Sequence, residues 1–180
     1  MRESRWKTLR TKLIGTINMR EVELPTGKRL DYLVVSYPEA VGVLALIDHQ
    51  RVILVGQYRY AVDEYSKEIP MGARDSGESI EDCARRELEE ETGYSAAHVE
   101  KVFTFHPSNA ASNQVVHICV ASELTQKTSA VEHHEPVEEL IQVEIVPFDE
   151  LLNMVLRDEI KDASTVIAVL LYSSRARQDH

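Results

Sequence analysis

The alternation of apolar and polar positions predicts strands at the start of the chain. They are "TKLIGTINMREVEL", a turn at "PTGK" (25–28), and then "RLDYLVVSY". "AVGVLALI" and "RVILVGQYRY" follow around the turn "DHQ", and their β-branched runs predict a hairpin inside a well-buried sheet. After the Gly- and Ser-rich stretch "MGARDSGES" the apolar period lengthens to that of a helix. Ser79 stands at its N-cap, Asp82 three residues on, and Gly93 at its C-cap. Strands are expected again at "HVEKVFTF", "QVVHICVAS" and "LIQVEIV". Helices are expected at 148–157 and 162–176, the second capped by Asp162 or Ser164. No internal repeat, low-complexity block or linker interrupts the pattern. The predicted class is α/β or α+β: a mixed β-sheet sandwiched between helices, with an N-terminal antiparallel strand subdomain at 1–40 ahead of a domain at 41–180.

One helix breaks its own pattern. "RELEEETGY", Arg86 to Tyr94, puts four glutamates in five residues. On a wheel of about 100° per residue with Ile80 at zero, Ala84, Leu88 and Cys83 form the core face. Glu89 and Asp82 fall near the opposite side, where solvated carboxylates belong. Glu87 and Glu91, at about 340° and about 20°, fall inside the apolar stripe, and Glu90 lies at its edge. Like charges at these spacings each destabilise a helix by about 0.2–0.5 kcal/mol, and burying an unpaired carboxylate costs more. Positive charge is therefore expected beside them. Arg86 can reach Glu90, but on the wheel neither Arg85 nor Arg86 lies over Glu87 and Glu91. Three oxygen donors one turn apart suit a hard cation, Mg²⁺ or Mn²⁺.

Composition narrows the partners. The 180 residues carry 20 Lys and Arg against 30 Asp and Glu, a formal charge of -10, with 43% hydrophobic residues. That excess repels polyanions and argues against a stable nucleic-acid complex, and a nucleotide would need a metal counterion. "VGVLALI" is far too short to span a bilayer and no signal peptide is evident, so no membrane partner and a cytoplasmic location are expected. Cys83 and Cys119 sit in apolar segments without metal-type spacing and are expected as buried free thiols.

Written out, Gly72 to Tyr94 is "GARDSGESIEDCARRELEEETGY": G, five residues, E, seven residues, R-E, an aliphatic, any residue, E-E, any residue, G. This resembles the box of the Nudix hydrolases, and all seven specified positions match. At about 7% per residue, chance supplies that match in a chain of this size roughly once in a million. The last position, Tyr94, departs from the family's usual aliphatic residue. The resemblance implies a Nudix fold and a pyrophosphohydrolase that needs Mg²⁺, with Mn²⁺ as a substitute. Glu87 and Glu91 would be metal ligands, Glu90 a ligand directly or through water, and Arg86 would pair with Glu78 or the glutamate cluster. The carbonyl of Met71 or Gly72 would complete the coordination.

The flanks extend the resemblance to the ADP-ribose pyrophosphatase and nucleoside-diphosphate-sugar branch. "VGQYRYAVDEYSKEIPMG" carries a Q-Y-R and an E-I-P-x-G, and "DEIKDASTVIAVLL" resembles that branch's closing helix. "ELPTGKRLDYLVV" resembles its N-terminal subdomain, which implies a homodimer. By this likeness Arg59 would contact phosphate or the terminal sugar, Tyr58 or Tyr60 would stack on the base, and Glu68 would hydrogen-bond the base or ribose. The bland alternatives are core packing for the tyrosines and a surface pair with Asp63 or Glu64 for Arg59. "FHPSNAASNQ" keeps Pro107 but lacks the S-P-G and acid usual for ADP-ribose hydrolases, which opens other sugars, GDP-mannose included. The loop "AVEHHEPVEEL" offers Glu135 or Glu138 as general base and Glu139 or Glu138 as a further metal ligand, with His133 and His134 beside them. A capped-RNA pyrophosphohydrolase and a non-enzymatic ADP-ribose sensor are the competing readings. The acidic charge, the intact box and the end of the chain soon after its last helix weigh against them.

Overall fold

A computed structural model describes residues 7–14, 16–48, 50–127 and 141–176 of the chain. The chain up to Glu39 groups with His106–Val115 into one compact unit. Ala40–Phe105 with Val116 onward forms a second.

In the first unit, β1 (Lys7–Ile14), β2 (Ile17–Glu23) and β3 (Arg29–Val35) form an antiparallel sheet in that order. The single strand expected over "TKLIGTINMREVEL" is thus two, and Ile14 pairs with Ile17 where they meet. The expected turn at "PTGK" links β2 to β3, with Gly27 at φ 78°, a left-handed conformation that suits glycine. The segment 106–115 lies along the end of β3. Val35 N–H donates to the Ala111 carbonyl at 2.7 Å and the Tyr32 hydroxyl to the Ala110 carbonyl at 2.8 Å.

The second unit is built on β4 (Ala40–Ile47), β5 (Arg51–Arg59), β8 (Tyr94–Phe105), β9 (Val116–Gln126) and β10 (Gln142–Pro147), in the order β10-β5-β4-β9-β8. β4 and β9 run parallel and their other pairings are antiparallel, so the sheet is mixed. β6 (Glu64–Glu68) pairs with β5, and the short β7 (Met71–Ala73) pairs with β4. The continuous apolar run of β4 reflects burial on both faces. Val41, Val43 and Ala45 point to the face covered by α1 (Ile80–Thr92), packing with Cys83, Ala84 and Leu88. Ala40, Leu44 and Leu46 point to the other, where α2 (Phe148–Leu156) and α3 (Ala163–Ala176) contribute Leu151, Val155, Ala168 and Val169. The sandwich is the expected one. Both cysteines are buried and free. Among the described residues no helix is long and apolar enough to cross a membrane.

Candidate active site

The helix α1 is set by its ends. The Ser79 hydroxyl accepts from the Asp82 N–H at 3.0 Å, and Gly93 closes the helix at φ 74° with its N–H on the Glu89 carbonyl. These caps fix the rotation that buries Leu88 and Cys83, and the same rotation carries Glu87 and Glu91 towards the sheet. Glu87 is only 8% exposed. Its carboxylate lies over Gly72, and a Cβ added there would fall 2.1 Å from the Glu87 carboxyl carbon. Glycine at this position is what admits the carboxylate. Glu91 is held from β7 by the Met71 N–H, which donates to its Oε2 at 3.0 Å.

Arg86 organises the other acids. Its Nε donates to Glu78 Oε1 at 2.9 Å and its Nη2 to Glu78 Oε2 at 3.1 Å, a bidentate pair, and Nη2 also meets the Ala73 carbonyl at 2.9 Å. Its Nη1 reaches Glu87 Oε1 at 2.6 Å and Glu90 Oε2 at 3.0 Å. The expectation that no arginine lies over Glu87 is corrected here. A wheel places Cα vectors, while the long arginine stem lets the guanidinium curl across one residue and serve both neighbours. The Arg86 hydrogen bonds hold the Glu78 carboxyl down at about 2, against the opposing effect of its burial.

Glu91 lies at the opposite extreme. Burial pushes its carboxyl up to about 8; the Met71 N–H opposes that, and the charge of Glu87 adds to it. The charge of Arg59 acts the other way, so Glu91 stands between a like charge and an opposite one. Among the described residues no group of three or more His, Cys, Asp or Glu side chains is placed to hold a metal ion. Arg86 engages both Glu87 and Glu90, so a cation beside Glu91 would draw on a set shared with Arg86 and filled by oxygen from water or substrate. Mg²⁺, which keeps several waters, accepts such a set.

A second charged pair lies near. Arg59, at the end of β5, donates from Nε to Glu68 Oε1 at 2.9 Å and from Nη2 to Glu68 Oε2. The pairing expected of a surface Arg59, with Asp63 or Glu64, is not formed. Glu68, only 4% exposed, is the acid that most needs a partner. Arg59 is raised by Glu68 against the effect of its burial, and the charges of Glu91 and Asp162 add to that hold. Tyr58 gives its hydroxyl to Asp63 and is 55% exposed, and Tyr60 is 89% exposed. Neither ring packs in the core. Glu135, Glu138, Glu139, His133 and His134 lie outside the described residues.

The NUDIX domain family matches residues 36–168. The chain belongs to the Nudix family. Its relatives place this Nudix protein in the ADP-ribose pyrophosphatase branch, as a pyrophosphohydrolase. It is 37% identical over 151 residues to the ADP-ribose pyrophosphatase of Bacillus subtilis (strain 168), covering 84% of this chain and 80% of that one. It is 33% identical over 168 residues to the methanol dehydrogenase activator of Bacillus methanolicus, covering 91% and 90%. It is 35% identical over 124 residues to the GDP-mannose pyrophosphatase of Klebsiella pneumoniae, covering 66% and 62%. Among solved structures, an ADP compounds hydrolase superposes with a TM-score of 0.78 at 22% identity over 97% of this chain and 93% of the other, a likeness of fold. Nudix hydrolases work with divalent metal ions, and carboxylates are the donors such ions take.

Two residues near the site escaped sequence reasoning. Thr165 accepts the Ile69 N–H at 2.9 Å, and Asp162, expected only as a helix cap, orients that threonine. The signal available was the D-x-x-T spacing at the start of α3. It reads as a cap and says nothing of a contact 96 residues away.

Proposed function

We propose that this Nudix protein hydrolyses the pyrophosphate bond of ADP-ribose or a related nucleoside diphosphate sugar, giving a nucleoside monophosphate and a sugar phosphate. The observation that carries the reading is the placement of Glu87 over Gly72 and of Glu91 on the Met71 amide, beside the Arg59–Glu68 pair. The matches to ADP-ribose and GDP-mannose pyrophosphatases support it. Mg²⁺ is the proposed metal, with Mn²⁺ as substitute, held by Glu87 and Glu91, with Glu90 directly or through water and a Met71 or Gly72 carbonyl completing the set. When bound, it spreads positive charge over the pyrophosphate oxygens and favours ionisation of water.

The chain's own residues do the rest. Arg86 holds Glu87 and Glu90 in register and is itself held by Glu78. Arg59 turns its fork to a phosphate oxygen or the terminal sugar. Glu68 accepts from ribose or base, and Tyr58 or Tyr60 offers an exposed ring to the base. Water attacks phosphorus in line, one P–O bond forms as the bridging P–O bond breaks, and a glutamate of the 130–140 loop, Glu135 or Glu138, takes the proton. Glu139 is proposed as a further metal ligand. The N-terminal strands are proposed to join two copies, and a monomeric mass at micromolar concentration would remove that part.

GDP-mannose is the second reading, favoured by the missing S-P-G in 106–115. The test is a panel of ADP-ribose, ADP-glucose, GDP-mannose, UDP-glucose, NADH and a dNTP, each with Mg²⁺ and with EDTA. Metal-dependent release of a nucleoside monophosphate from the sugar conjugates is the expected result. Turnover confined to the dNTP, or none at all, would overturn the reading.

A further inference from the structure

The segment Glu68–Gly72 joins the two halves of the proposed site. It begins with the acid that Arg59 holds and ends with the residues against which Glu87 and Glu91 rest. Its backbone is anchored at successive residues. The Pro70 carbonyl accepts from Val43 N–H at 2.8 Å, Met71 N–H donates to Glu91 at 3.0 Å, and Gly72 pairs with Val41. Ile69 is the exception in kind. The β5–β6 ladder ends at Val55 and Glu68, and the β4–β7 ladder begins at Gly42 and Met71, so the Ile69 N–H falls in the gap between them. The residue is buried, and an amide left unpaired there would be destabilising.

Thr165 fills that gap from α3. Its hydroxyl oxygen accepts the Ile69 N–H at 2.9 Å, while its single hydroxyl proton goes to Asp162 Oδ2 at 2.7 Å. The same Asp162 oxygen accepts the Thr165 N–H at 2.8 Å and caps the helix. Capping needs only that N–H. The second bond fixes the direction of the hydroxyl: with its proton committed to a carboxylate, Thr165 Oγ1 is left as an acceptor facing Ile69. Thr165 has no exposed surface, so water does not substitute for it.

We infer that Thr165, oriented by Asp162, is a positioning residue of the hydrolase: by holding the Ile69 amide it sets the Glu68–Gly72 segment, and with it both the Glu68–Arg59 pair and the Met71 amide that steadies Glu91. This rests on the activity proposed above. Thr165→Val keeps the shape and removes the acceptor, and Thr165→Ser keeps the acceptor and removes a methyl. Each is compared with the wild-type full chain by kcat and KM on ADP-ribose with Mg²⁺, by Mn²⁺ binding, by thermal melting and by amide exchange at Ile69 and Met71 in the metal-free protein.

The expected result is a kcat about 10–100-fold lower in Thr165→Val, in the range of residues that orient metal-site ligands. Mn²⁺ binding weakens, exchange quickens at Met71 as well as at Ile69, and Thr165→Ser restores all three to within about threefold. Should the valine variant fail to fold, Asp162→Asn, which keeps a helix cap but frees the hydroxyl's direction, is expected to show the same losses. The inference is overturned if the valine variant keeps wild-type kcat and Met71 exchange, or if serine, equally destabilised, fails to restore them. If the wild type turns over no nucleotide sugar, the proposed activity falls, and Mn²⁺ binding with Met71 exchange alone decides the role of Thr165.

Discussion

Two arginine–glutamate clusters in this protein share a composition and differ in what surrounds them. Arg157 lies between Glu150 and Glu159, at 3.1 and 2.7 Å, with every side chain about half exposed. Arg86 binds Glu78, Glu87 and Glu90, whose side chains keep only 15%, 10% and 16% of their exposure. Water does for the first cluster most of what its arginine does, so the arginine adds little. Around Arg86 little water is available, and removing the guanidinium would take a shared positive charge from three largely buried acids. Counting charges along the chain does not separate these clusters. The helix wheel does, because it places Glu87 and Glu91 in an apolar stripe.

The largest effect expected from this difference is on turnover. Glu91→Gln is expected to fold and to lose on the order of 10²–10³-fold in kcat on the best panel substrate. Glu89→Gln on the outer face, where the side chain pairs with exposed Lys127, is expected to remain near wild type. A comparable loss at Glu89 would mean that position on the helix does not separate working from solvated acids. Next comes stability. Arg86→Met is expected to cost roughly 2–3 kcal/mol, below the full buried-pair figure because Arg86 keeps some exposure, and to lower the melting temperature by about 5–10 °C.

The pH dependence sharpens the contrast within α1 itself. Glu78, held at about 2, contributes stability above the ordinary carboxylate range and loses it as pH falls through about 2. Glu91 has the opposite sign. Its raised value means that the metal-free fold is favoured while the carboxyl is protonated, and that stability is lost as pH rises from about 4.5 through about 8. Melting curves from pH 5 to 8.5 in EDTA are expected to fall for the wild type and to run flatter for Glu91→Gln. The smallest effect is at the exposed cluster, where Arg157→Ala is expected to leave the melting temperature within about 2 °C.

Much of this was legible in the sequence, and the legible parts have local causes. Ser79 and Gly93 fix α1 by cap chemistry confined to a few residues, and the two-sided burial of β4 follows from its unbroken apolar run. The path of 106–115 along β3 and the short β6 and β7 were not legible. Their pairings depend on partners distant in sequence, and Glu64–Glu68 has no strand pattern of its own. The hold of Arg86 on Glu87 was missed because a wheel carries no side-chain reach. Thr165 was missed because a residue in a cap position gives no sign of bonding to a remote amide.

The most direct test of the account is calorimetric titration of Mn²⁺ into the metal-free wild type, Glu91→Gln and Glu89→Gln at pH 7.5. The account predicts binding by the wild type and Glu89→Gln, with protons released as Glu91 ionises, and its loss in Glu91→Gln. Equal binding by all three proteins, with no proton release, would contradict the claim that Glu87 and Glu91 are the acids that wait for the metal.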